Sequence, residues 1–212
     1  MRVIGVLNSK GGPGKTTLAT CLAVHAAKGA LVAVCDLDPQ SSYSDWYRRR
    51  GAPDNPALMT GADLASDAIE ALRLNSAYQF VFLDGPPGSI LVTEDAIRSS
   101  DFVIIPMRSS GLDLHASRDC IQLCQDFSVP FMVVVNDTRS GDQRLIEETR
   151  GALLSWKVPI AKTTVAHRVS YIDAVTTGRT GPEKDPKARA EIEALWKEIF
   201  TAIRKSAKER VP

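Results

Sequence analysis

Residues 7–17 read LNSKGGPGKTT. The apolar run Val3–Leu7 leads into this stretch. Thr16–Lys28 leads out of it, with Leu18, Cys21, Leu22 and Ala26 at helical spacing. A glycine-rich turn between a strand and a helix is the setting in which a phosphate-gripping loop is credible. The pattern G-x-x-x-x-G-K-[ST] fits only loosely, because its usual first glycine would fall at Ser9. Gly14, Lys15 and Thr16 are intact. Glycines let backbone N–H groups turn toward phosphates without a Cβ clash, and the helix N-terminus adds its positive end. Lys15 then reaches β- and γ-phosphates, and the Thr16 hydroxyl suits Mg²⁺. A second lysine, Lys10, stands before the glycines, where a single lysine usually suffices.

Working outward, further strands are read at Leu31–Cys35, Phe80–Leu83, Phe102–Ile105 and Phe131–Val135, with a sixth at Val158–Thr163. Helices are read at 62–75, Leu114–Phe127, Asp142–Trp156 and Lys187–Glu209. The turn-rich stretch 51–62, GAPDNPALMTGA, reads as a surface loop, and 178–187 is the most loop-like remaining segment. Apolar strands alternating with helices predict an α/β fold with a doubly wound, mostly parallel sheet. No repeat, low-complexity tract or linker interrupts 1–212, so a single domain is expected.

The chain carries 26 Lys and Arg against 25 Asp and Glu, a net charge of +1. Nucleic-acid affinity would therefore need a local patch. No apolar run approaches the roughly 20 residues of a bilayer span, and the N-terminus shows no export signal. The expectation is a cytoplasmic protein whose four cysteines are reduced. Cys120 and Cys124 stand four apart near His115, but a metal site there would need a fourth ligand and a tighter spacing.

Asp36, Asp38 and Asp84 fall at or just beyond the carboxyl ends of predicted strands, the edge where open α/β sheets bind ligands. Asp84 ends a hydrophobic strand and precedes GPPG, a Walker B pattern suited to holding Mg²⁺. Asp36 and Asp38 sit in DLDPQ. They either serve the nucleotide or cap the turn.

K-G-G-x-G-K-T-T, together with VAVCDLDPQ at 32–40 and FVFLDGPPG at 80–88, resembles the deviant Walker A class of ParA/MinD P-loop ATPases, most of all the small single-domain partition ATPases. The resemblance covers nearly the whole chain. It implies ATP hydrolysis with ATP and Mg²⁺ as cofactors. Lys10 is then the signature lysine that contacts the nucleotide of the other subunit in a dimer, as an arginine finger does. Gly11, Gly12, Pro13, Gly14, Lys15, Thr16 and Thr17 bind the phosphates. Lys10, Lys15 and Asp38 carry the chemistry, with Asp38 orienting the attacking water. Thr16, Asp36 and Asp84 serve the metal. Gly85–Gly88 resembles a switch that senses the γ-phosphate. Asn136, at a strand end, either reads the adenine edge or is a turn residue.

The family's output is positioning of large cargo. The ATP dimer coats nucleoid DNA nonspecifically, and a ParB-like or other cargo-adaptor partner stimulates hydrolysis and releases it. Lys10 lies so near the N-terminus that no DNA-reading domain is expected before it. Candidate DNA contacts are Arg139, Arg168, Arg179, Lys205 and Lys208, with Arg144 and Arg210 beside them, gathered on one face. The alternatives are a MinD-like membrane ATPase, held by the basic amphipathic stretch 192–210, or a small-molecule P-loop kinase. The apolar stripe of 192–210 stops at Ile203, which favours packing on the sheet over membrane insertion.

Overall fold

A computed structural model describes residues 1–60, 62, 64–74 and 77–209. Six parallel strands form one sheet: β1 (Arg2–Val6), β2 (Val32–Asp36), β3 (Ala57–Met59), β4 (Phe80–Asp84), β5 (Phe102–Met107) and β6 (Phe131–Val135), in spatial order β3-β2-β4-β1-β5-β6. The helices among the described residues are α1 (Lys15–Ala26), α2 (Ser42–Arg49), α3 (Ala65–Leu74), α4 (Ile90–Arg98), α5 (Gly111–Asp126), α6 (Gln143–Ser155), α7 (Val169–Thr176), α8 (Gly181–Lys184) and α9 (Pro186–Glu209).

Strand side chains alternate between two cores, as a period of two requires. Ile4, Val6, Val32, Val34, Phe82 and Ile104 face α1 and α9. Val3, Leu7, Ala33, Cys35, Val81, Leu83, Val103 and Ile105 face the core that holds residues of α3, α4 and α5. Both faces are covered, which is why the strands read as unbroken apolar runs. Ile192, Leu195 and Ile199 of α9 are fully buried and Ile203 nearly so. Most of the apolar stripe of the terminal helix packs on this core, while Trp196 is partly buried and Phe200 is 39% exposed.

Three expectations need correction. The sixth strand is β3, which lies inside the segment 51–62 read as a loop and pairs in parallel with β2 at the sheet edge. Val158–Thr163 makes only an isolated bridge, Val133 to Ile160, beside β6. Pro159 has no N–H to extend a ladder. The loop-like 178–187 contains α8 and the start of α9, where Thr180 and Glu183 form a capping box. Asn75, at the end of the helix predicted over 62–75, Gly61 in the predicted loop and Arg210 lie outside the described residues.

Candidate functional site

Register assembles the site. Asp84 pairs across with Val6 on one side and with Asp36 on the other. The carboxyl ends of β2, β4 and β1 therefore deliver two carboxylates and the glycine loop to one place. Gly12 and Gly14 adopt φ of 86° and 88°, a region that L side chains rarely enter. A Cβ on Gly14 would also lie 2.3 Å from Asn136 Nδ2. Gly14 leads into α1, whose N-terminus has no side-chain cap and no acidic residue in its first turn. By contrast, α4 and α5 begin with serine caps at Ser89 and Ser110. An open N-terminus leaves its first N–H groups directed at whatever fills the loop, which favours an anion.

The loop borders a cavity of about 360 Å³. Its walls are Gly11, Gly12, Gly14, Lys15, Thr16 and Thr17 from the loop, Asp38, Gln40 and Ser42 from the segment after β2, and Pro87 from GPPG. An adjoining cavity of about 440 Å³ shares Gly12, Gly14 and Thr17 and runs past Asn136, Asp137 and His167 to α7. Phosphates in the first and a base with its sugar in the second would fill both. Asn136 lines the second cavity, and its Nδ2 donates to Pro13 O at 2.7 Å. It therefore buttresses the loop as well as lining the second cavity.

Lys15 is buried, and its Nζ donates to Lys10 O at 2.9 Å. Burial lowers its pKa, against the opposing pull of Asp84 and Asp38. Asp84 is 0% exposed, and burial pushes its carboxyl up to about 8, with the Asp36 charge adding to the shift. Thr16 and Lys15 lie near enough to favour the ionised form, yet no hydrogen bond closes onto either carboxylate oxygen. Buried polar atoms are rarely left so. Two orphaned carboxylate oxygens beside a threonine hydroxyl and a further carboxylate form a hard oxygen donor set suited to Mg²⁺.

Asp36 is engaged differently. Its Oδ2 accepts from Ser44 N at 2.9 Å and Ser44 Oγ at 2.7 Å, and its Oδ1 from Asp38 N at 3.3 Å. It ties the strand end to α2. Asp38 Oδ1 accepts from Gln40 N at 2.9 Å, which holds the DLDPQ turn against the cavity. Gly88 N donates to Ser9 O at 2.8 Å, so GPPG touches the phosphate loop directly.

Lys10 is not among the residues that wall the phosphate cavity. Its Nζ pairs instead with Asp113 at the start of α5. The candidate DNA contacts are divided. Arg139 and Arg168 follow β6 at the carboxyl edge, and Arg168 is drawn inward to Glu191 and Asp185. Arg179 is exposed near α2, its carbonyl taken by Trp46 Nε1 at 2.9 Å. Lys205 and Lys208 are exposed on α9 beyond Phe200, whose ring packs near Phe80 at the amino end of β4. No single face of one subunit gathers all five, because the elements that carry them leave opposite edges of the sheet. Arg144 is paired with Glu148. Cys120 and Cys124 are free and buried, and no group of three or more His, Cys, Asp or Glu placed to hold a metal occurs among the described residues.

Sequence reasoning missed Asp113 and Ser44, and also Arg108, Asp137 and His167. The last three form a rim on the second cavity, with Arg108 Nε ion-paired to Asp137 at 2.8 Å and His167 Nδ1 in a hydrogen bond with the same carboxylate at 2.5 Å. None carries a local motif, and only the tertiary fold brings them to the site.

Residues 4–180 match the family model for the CobQ/CobB/MinD/ParA nucleotide binding domain. The maintenance of carboxysome distribution protein A of Halothiobacillus neapolitanus is 30% identical over 187 residues, covering 82% of this chain and 84% of that protein. The chromosome partitioning protein ParA of Caulobacter vibrioides is 28% identical over 150 residues, about half of either chain at 51% and 56%. Among solved structures, apo McdA from Cyanothece superposes with a TM-score of 0.77 at 18% identity, covering 94% of this chain and 99% of that one. The pNOB8 ParA bound to nonspecific DNA gives 0.71 at 15% identity, covering 99% of each. At such identities the likeness to the solved structures is one of fold.

Proposed function

We propose a nucleotide-driven dimer cycle for this chain, which belongs to the CobQ/CobB/MinD/ParA family of nucleotide-binding domains. It is an ATPase of the positioning and partitioning type, working with ATP and Mg²⁺. Lys15, the loop N–H groups and the open end of α1 hold the triphosphate. Thr16 and Asp84 hold the metal, with Asp36 behind them fixing α2. When bound, Mg²⁺ neutralises charge on the β- and γ-phosphates. Asp38, held by the Gln40 N–H at the cavity wall, orients the attacking water. Asn136 braces the loop and offers its remaining amide positions to the base.

The observation that carries the dimer is the place of Lys10. It stands in the phosphate loop but does not wall its own phosphate cavity, and its Nζ is paired with Asp113 at the start of α5, a place from which it would serve the nucleotide of an opposed copy. A cation supplied across the dimer stabilises charge on the transferring phosphoryl group and makes association depend on the γ-phosphate. The ATP dimer binds DNA without sequence preference, in a cytoplasmic, nucleoid-associated role. A cargo-adaptor protein stimulates hydrolysis and releases it. Dividing the basic residues between two regions of each subunit suits this reading, since pairing two copies multiplies weak phosphate contacts. The packed α9 stripe argues against membrane anchoring through that helix. A small-molecule kinase would have no use for Lys10.

Light scattering with ATP and Mg²⁺, with ADP and without nucleotide tests the cycle. Wild type dimerises only with ATP. Lys10→Ala binds ATP but stays monomeric. Asp38→Ala dimerises and hydrolyses about 10²-fold more slowly. Anisotropy with duplex DNA beside liposome sedimentation tests the output. Sedimentation with anionic liposomes and indifference to DNA at low salt would sink the partition reading.

A further inference from the structure

We infer that Tyr43 is a positioning residue for Asp84, its phenol O–H donating to the carboxylate and fixing its orientation once the metal is bound. The inference rests on the metal reading above. Among the described residues, three buried side-chain polar atoms lack a partner: the Tyr43 hydroxyl and the two Asp84 oxygens. A hydroxyl can donate and carboxylate oxygens accept, so the unmet needs are complementary. Two other tyrosines are satisfied. The Tyr47 hydroxyl donates to Pro53 O at 2.8 Å, and that of Tyr171 to Glu191 Oε2 at 3.2 Å.

The fold puts these unmet groups on one side of the sheet. Val34 and Phe82 face the core of α1 and α9, and a strand period of two gives Asp36 and Asp84 the same face. Tyr43 belongs to that core and is fully buried. Its ring centroid lies 5.2 Å from that of Trp46, whose Nε1 donates to Arg179 O at 2.9 Å. Packing therefore fixes the ring, and the hydroxyl is left for another use. Burial raises the pKa of the phenol and the Asp84 charge adds to it, with Arg50 opposing. The group thus stays protonated and remains a donor.

The first turn of α2 addresses the site with three successive residues. Ser42 walls the phosphate cavity, and Ser44 holds Asp36 Oδ2 through its N–H at 2.9 Å and its hydroxyl at 2.7 Å. Tyr43 stands between them. A carboxylate that ligates a metal needs outer donors to hold its orientation. Asp36 has them in Ser44. For Asp84, the Tyr43 hydroxyl is the buried donor with no other partner.

Tyr43→Phe keeps the ring and removes only the hydroxyl. Without Mg²⁺ and nucleotide its melting temperature rises by about 2–4 °C, because a buried group lacking a partner is gone. Mg²⁺ titrated into the ADP complex, read by isothermal calorimetry, binds about tenfold more weakly. A packing role alone would leave that affinity unmoved. Asp84→Asn, measured in parallel, separates this inference from the metal reading. The loss from Tyr43→Phe vanishes in the Asp84→Asn background, since the hydroxyl acts through that carboxylate. Weakened binding in Asp84→Asn beside unchanged binding in Tyr43→Phe overturns the inference alone. Unchanged binding in Asp84→Asn overturns the metal role of Asp84 and the inference with it. A Tyr43→Phe loss that persists beside Asp84→Asn overturns it by placing the action elsewhere. A fall in the metal-free melting temperature overturns it by showing that the hydroxyl already has a partner. Should Tyr43→Phe not fold, the wild type decides. In protein carrying labelled tyrosine with ADP bound, addition of Mg²⁺ moves the Tyr43 Cζ resonance, assigned by phenylalanine replacement of Tyr47, Tyr78 and Tyr171. An unmoved resonance rejects the contact.

Discussion

The carboxyl and amino edges of this sheet are built from the same strands and treat their polar groups in opposite ways. At the amino edge they are satisfied. Asn55 Nδ2 donates to Ala27 O and Ala30 O, and its Oδ1 accepts from Val32 N at 2.9 Å. Asp101 Oδ2 accepts from Val3 N at 2.8 Å. Around them Phe80, Trp196, Phe200 and His25 stack edge to face or tilted. At the carboxyl edge both Asp84 oxygens and the Tyr43 hydroxyl are buried without partners, the α1 N-terminus is uncapped, and Lys15 spends its charge on a carbonyl. One edge is finished by the chain. The other is left for a ligand to finish, and stability is given up there to keep affinity.

The largest effect separates the two edges by activity. Lys15→Ala removes the loop's own cation, and ATP binding with hydrolysis falls by about 10³-fold, while the melting temperature without nucleotide stays near wild type. Leu195→Ala, in the α9 core, does the reverse. It costs about 2–5 kcal/mol of stability, and the molecules that remain folded hydrolyse ATP at the wild-type rate. Turnover per folded molecule, set beside thermal melts, checks both. A catalytic loss in Leu195→Ala larger than its folding loss would break the comparison.

Next in size is Asp84→Asn, which tests whether the orphaned carboxylate is a cost. An Asp held protonated until about pH 8 when folded, but ionised above its ordinary value of 3.8 when unfolded, removes stability as pH rises between those values. The variant should melt several degrees above wild type at pH 8 in the absence of Mg²⁺ and nucleotide. The gain should shrink steadily as pH is lowered toward 5. With ATP and Mg²⁺ the order should reverse, because only the wild type has the metal site to be stabilised by ligand. A variant no more stable than wild type at pH 8 would mean that water already solvates Asp84.

How much of this was readable in the chain follows the same division. Asp36 and Asp84 were legible because each ends a strand, visible as the stop of an apolar run, and Gly14, Lys15 and Thr16 because a glycine-rich motif stands between an apolar run and a helical pattern. β3 was not, since three half-buried residues among prolines and glycines carry no periodicity. Val158–Thr163 misled because an apolar run that packs beside a sheet looks like one that joins it. Helix α2 hid its two buried aromatics, Tyr43 and Trp46, among five polar residues and the half-buried Tyr47. The pairings that tune the site, Ser44 with Asp36 and Lys10 with Asp113, join residues that no local pattern connects.

The smallest effect belongs to the amino edge, at His25. Its ring lies 6.2 Å from that of Trp196, and its pKa is lowered from 6.5, first by burial and then by Lys28 and Lys197, with Glu193 opposing. A base whose folded pKa is depressed binds its proton more readily when unfolded. It leaves stability intact above pH 6.5, and that stability is lost as pH falls through the folded value. Because His25 is only half-buried, solvent screens much of the interaction. Between pH 7.5 and 5.5, the wild type should lose no more than about 2 °C of melting temperature relative to His25→Gln. The two proteins should hydrolyse ATP alike across that range, for His25 packs on α9 at the edge remote from the phosphate loop. A pH-dependent difference in ATP turnover between them would show that the finished edge is coupled to the unfinished one, and would undo the separation of roles.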